Sequence, residues 1–75
     1  MRTARQIAIA VRMGLEELAD VYETKEAAFR AVEKISGVSF SMITKFYYRE
    51  KENPSINTID RLWEAVEHLR ELNTL

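Results

Sequence analysis

Ile7, Val11, Leu15, Leu18 and Tyr22 recur at spacings of four, four, three and four, the period of one helical face. They predict a long helix over residues 3–23. Ile9, Ala10 and Met13 widen that face, so this helix is expected to bury two sides. Gly14 interrupts its middle at a cost of about 1 kcal/mol relative to alanine, and reads as a point of close packing or a slight kink. Thr24 then has the chemistry of an N-cap, with Glu26 favourably placed in the first turn of a second helix. Ala28, Ala31, Val32 and Ile35 form its inward stripe, with Arg30, Glu33 and Lys34 outside it. Gly37 can take the left-handed conformation that ends a helix, and Val38 is placed to tuck into the turn. Ser39 can cap a third, short helix over residues 39–48, whose inward residues are Met42 or Ile43, then Phe46, with Tyr47 beside them. Residues 49–54 carry no apolar side chain and end in Asn-Pro, a loop signature. Ser55 opens the last helix, residues 56–72, with Ile59, Leu62, Trp63, Val66 and Leu69 on its apolar face and Leu72 extending it.

The expected fold is therefore all-α: a compact bundle of four or five helices in one domain, residues 1–75. Seventy-five residues leave little room for more. A core of this size supplies only about 3–5 kcal/mol, which makes a homodimer a natural source of further burial. There is no cysteine and only one histidine, so neither a disulfide framework nor a Cys or His-rich metal site is available. His68 lies off the apolar face and reads as a solvated side chain. No cofactor, metal or small-molecule ligand is expected, and the missing site chemistry argues against an enzyme. The apolar run at residues 7–11 stops at Arg12, short of the ~18 residues a membrane span needs. The expectation is a cytoplasmic protein that does not enter the membrane.

Two helices joined through Gly37-Val38-Ser39 have the outline of a helix-turn-helix. The tight turn needs a residue tolerant of positive φ, then an apolar pin, then a cap, and the second helix needs inward residues a turn apart, here Ile43 and Phe46. The run from Gly37 to Phe46, followed by Asn53-Pro54-Ser55-Ile56-Asn57-Thr58-Ile59, resembles the Cro-like phage-repressor (lambda-repressor-like) helix-turn-helix family over about residues 24–72. The resemblance implies a small DNA-binding transcriptional regulator, a repressor of phage or mobile-element type, reading the major groove with residues 39–48. Carried over by position, it implies that Phe40, Ser41, Thr44, Lys45 and Tyr48 meet the groove. Ser39 and Asn53 would meet phosphate, with Arg49 and Lys51 adding backbone contacts. Serine and threonine can bond base edges or phosphate, and lysine can reach guanine or phosphate.

Three positions depart from the family pattern. Phe40 stands where a polar residue is usual and can touch a thymine methyl but form no hydrogen bond. Glu50 stands where the family has glycine. Glu33 falls on a buried small-residue position unless the turn is one residue longer, Ser36-Gly37.

The net charge of −1 comes from eleven basic and twelve acidic side chains, unevenly distributed. Residues 1–24 carry three basic against four acidic, residues 25–55 six against four, and residues 56–75 two against four. The middle segment is thus +2 and coincides with the expected reading unit, a modest charge for neutralising phosphates. A dimer would double the contacts and suit two half-sites one helical turn apart. Phe40, Phe46, Tyr47 and Tyr48 also crowd into nine residues, and exposed aromatics are common in protein interfaces. That supports an alternative: a helix-turn-helix-fold protein that binds and inhibits a protein partner through Phe40, Tyr47 and Tyr48, as an anti-activator, an antirepressor or a phage-encoded inhibitor of a host system.

Overall fold

The structure, a computed structural model, describes residues 4–48 and 55–73. Among these residues are four helices and no strand: α1 (Ala4–Val21), α2 (Lys25–Ser36), α3 (Phe40–Tyr47) and α4 (Ile56–Asn73). None of these helices is long and apolar enough to cross a membrane. The expected loop at residues 49–54, and with it Arg49, Glu50, Lys51 and Asn53, lies outside the described residues, as does Leu75.

The boundaries follow from local chemistry. α1 ends two residues before the expected Glu23, because Glu23 takes a left-handed φ of 74° that no helix can continue. Thr24, in an extended conformation, starts α2 by accepting the Ala27 N–H on its Oγ1 at 3.1 Å. Gly37, at φ 77°, ends α2 while its N–H donates to the Glu33 carbonyl at 2.9 Å. The Ser36 hydroxyl accepts from the Val38 N–H, which fixes the turn, and Val38 is buried as expected. Ser39 and Ser55 cap α3 and α4, taking the N–H groups of Met42 and Thr58. Space is open around the position of a Cβ on Gly37, so Gly37→Ala is expected to cost only the backbone strain of a left-handed alanine. That is about 1–2 kcal/mol, a drop of several degrees in melting temperature that circular dichroism would read.

Three pairings define the main packing. Gly14 meets Val66, Glu17 Oε2 pairs with Arg70 Nε at 3.2 Å, and the Asn73 amide donates to the Tyr22 hydroxyl at 3.4 Å. Position rises together in both helices, so α1 and α4 run in the same direction, with Gly14 close against Val66. The core lies among Val11, Leu15 and Leu18 of α1, Ala28, Phe29 and Val32 of α2, Ile43 and Phe46 of α3, and Leu62, Ala65 and Val66 of α4. No buried side-chain polar atom in the described residues lacks a partner.

Four expectations need correction. Ile9 and Met13 do not bury a second side of α1; they are 46% and 60% exposed, because α2, α3 and α4 leave that flank uncovered. Ile35 is not in the inward stripe: at 44% exposure it borders a groove of about 300 Å³ that separates it from Arg61, Glu64 and His68 on α4. Its place in the core is taken by Phe29, on the side of α2 that α3 covers. Trp63 is half-buried against the core rather than inside it. Leu72 does not extend the buried face of α4; it is 55% exposed. Glu33 lies outside the inward stripe as expected, half-exposed and bonded to the backbone of α3.

Candidate nucleic-acid interface

α3 folds back along α2. Glu33 and Phe29 meet Phe40 at the start of α3, and Phe29 and Lys25 meet Tyr47 and Tyr48 at its end. Ile43 and Phe46 point into the core. On the opposite side of the helix Ser41, Lys45 and Tyr48, at spacings of four and three, are exposed, as is Ser39 just before it. Thr44 is half-buried, and its hydroxyl donates to the Phe40 carbonyl at 2.9 Å. Its one donor is spent within the helix, so only acceptor capacity and a methyl remain for a base.

The start of α3 is organised by α2. The Phe40 N–H, one of the unsatisfied donors of a helix N-terminus, donates to Glu33 Oε2 at 2.8 Å. The other carboxylate oxygen of Glu33 pairs with Arg30 Nη1 at 3.5 Å, and the Arg30 guanidinium lies over the Phe40 ring, 4.1 Å from its centroid. Phe40 is thus half-buried between Phe29, with ring centroids 6.3 Å apart, and Arg30.

The far end of α3 is held from two sides. Tyr47 stacks at a tilt on Phe29 at 5.3 Å and edge-on to Tyr48 at 5.0 Å, with the Lys25 ammonium 5.3 Å and 5.5 Å from the two rings. From α1, Arg12 Nε donates to the Phe46 carbonyl at 3.2 Å and its guanidinium covers the Phe46 ring at 4.7 Å. A cation at the C-terminal carbonyls of a helix is favourable for both hydrogen bonding and the helix dipole.

Of the sequence-derived site residues, Ser41, Lys45 and Tyr48 share one exposed side, Ser39 is exposed at the cap just before it, Phe40 and Thr44 are half-buried, and Arg49, Lys51 and Asn53 lie outside the described residues. Lys25, Arg30 and Glu33 join this site only in three dimensions. Their sequence signal was weak: Arg30 sits four residues after Glu26 and three before Glu33, which by itself describes an ordinary solvated helix face. Lys25, Arg30, Lys34 and Lys45 face two acids on α2 and α3, so these two helices carry +2 while α1 and α4 are net acidic. No cluster of three or more metal-ligating side chains occurs among the described residues. No protein-family model, curated protein sequence or solved structure matches this chain.

Proposed function

We propose that this protein is a small DNA-binding regulator that reads the major groove of double-stranded DNA with α3. The observation that carries this reading is the exposed row Ser41, Lys45 and Tyr48, on a capped helix whose opposite side is anchored by Ile43 and Phe46. An eight-residue helix is about 12 Å long, matching the ~12 Å width of the groove. Lys25 lies 5.5 Å from the Tyr48 ring and Arg30 lies over Phe40, next to Ser41 in the chain, and the turn through Gly37 and Val38 has the left-handed glycine and buried pin expected of a helix-turn-helix. Ser41 and Lys45 are the readers, and Thr44 contributes shape rather than a donor. A homodimer would give such a small surface enough phosphate contacts for specific binding.

Selection from a pool of randomised duplex DNA tests this directly. The expected result is an enriched motif, with affinity falling as salt rises. Lys45→Ala should weaken binding to that motif by about 1–3 kcal/mol if the lysine reads a base, with relaxed preference at one position. A flat salt response together with no enriched sequence would overturn the proposal.

A second reading, a protein-binding inhibitor, draws on a different observation. Ile9 and Met13 flank a groove of about 300 Å³ with Arg12, Glu16 and Tyr47, so the aromatic end of α3 continues into exposed apolar surface on α1. On that reading Met13→Lys abolishes capture of the partner while Lys45→Ala leaves it intact. On the DNA reading the two substitutions have the opposite effects on duplex binding.

A further inference from the structure

The position where a DNA-reading helix would ordinarily carry a polar side chain is occupied by Phe40, between the exposed Ser39 and Ser41. In the fold this ring is half-buried: one side faces Phe29, and the Arg30 guanidinium lies over it at 4.1 Å. We propose that Arg30 is a phosphate-binding residue of the DNA site and that Phe40 is the platform that aims it. This inference rests on the DNA-binding reading above and extends it to a residue on α2.

The chemistry favours arginine here. A planar guanidinium can stack on an aromatic face while its N–H edges remain available in the plane for a bidentate bond to phosphate oxygens. A free arginine loses much rotamer entropy on binding; one already stacked and tethered loses less. Arg30 has both restraints, the ring below and Glu33 beside it at 3.5 Å, and its side chain still keeps 58% of its surface exposed. Glu33 is itself held in place, since its second oxygen accepts the Phe40 N–H. The remaining pairing of Arg30, with Glu26 at 4.0 Å between exposed side chains, is at the limit of an ion pair and is readily exchanged for phosphate. The stack sets the guanidinium over the first residue of α3, which the two serines flank in the chain, where the backbone of a bound strand would flank a helix seated in the groove.

The test is the salt dependence of binding by the full chain to a labelled duplex of mixed sequence. The logarithm of affinity falls linearly with that of salt concentration, by about 0.9 for each phosphate neutralised. Arg30→Ala should reduce that slope by about one and weaken binding equally on every sequence. Arg30→Lys should restore the slope, because the charge returns, with affinity below that of the wild type because the fork geometry does not. Phe40→Leu should keep the slope yet lower affinity several-fold, the signature of a charge present but no longer aimed. Arg30 is exposed, and a helical spectrum for each variant separates binding from folding. If wild-type protein binds with a salt slope that Lys45→Ala lowers and Arg30→Ala does not, the assignment of Arg30 is wrong and the DNA reading stands. If wild-type protein shows no salt-dependent binding, both fall together.

Discussion

Replacing Phe29 with alanine is expected to remove about 3–5 kcal/mol of stability, the usual cost of deleting a buried phenylalanine. For 75 residues the whole stability is of the order of 4–11 kcal/mol, so the variant should be partly or wholly unfolded at 37 °C. Phe29 is only 2% exposed and stands at the junction of two helices, with ring centroids 6.3 Å from Phe40 and 5.3 Å from Tyr47. The loss therefore combines burial, a cavity and two aromatic contacts, each of the latter worth about 0.5–1.5 kcal/mol. Phe29→Leu retains most of the volume and should cost much less. Urea denaturation followed by helical circular dichroism checks both, and DNA binding by Phe29→Leu reports whether α3 is still correctly seated. A Phe29→Ala protein as stable as wild type would show that α3 does not pack on α2 as described.

Enlarging Gly14 is the second large effect. A Cβ built on this residue runs into Cγ1 of Val66, a β-branched side chain that is fully buried and has few alternative rotamers. In an exposed helix Gly→Ala would stabilise by about 1 kcal/mol; here the overpacking cost of about 1–3 kcal/mol opposes that gain. Gly14→Leu brings three further carbons and should fall at the upper end of that range or beyond it. The contact is specific enough for a double-mutant cycle. Val66→Ala alone creates a cavity, but in that background Gly14→Ala should be neutral or stabilising, because its methyl fills the vacated space. Additive effects in thermal unfolding would contradict the close approach of α1 and α4.

Much of the helical framework was legible in the chain because it depends on local chemistry. Thr24, Ser39 and Ser55 each cap a helix by accepting an N–H three residues on, and Gly37 ends α2 in a left-handed conformation. These are interactions between near neighbours, and residue type nearly dictates them. The inward residues of α1 and α3 were legible for a similar reason. Val11, Leu15, Leu18, Ile43 and Phe46 lie at the centre of their apolar arcs and are buried whichever way the neighbours pack. At the edge of an arc, periodicity is ambiguous. Ile35 and Phe29 both border the strip through Ala28 and Val32, and nothing local prefers one to the other. The return of α3 along α2 buries the phenylalanine, while the groove beside α4 leaves the isoleucine open.

The site divides along the same line. Ser41, Lys45 and Tyr48 were readable as one outward row, since helical spacing alone aligns them, whereas Ser39 stands before the helix as its cap. Phe40 was an anomaly in sequence, an aromatic ring where a polar side chain was expected. Its partners come from the preceding helix, seven, ten and eleven residues earlier: Glu33 on its N–H, Arg30 over its ring and Phe29 behind it.

Residue order was thus enough for where each helix starts and stops, which residues centre its buried face, and where the positive charge accumulates. Each of these is set within a few residues by hydrogen-bond geometry, helical period or simple proximity. Packing alone decided which flank of a helix is covered, that Gly14 lies against Val66 of α4, and that Arg30, Glu33 and Phe40 act as one group. Those outcomes depend on the relative placement of whole helices, which arises from the summed burial of many side chains and is written in no single segment.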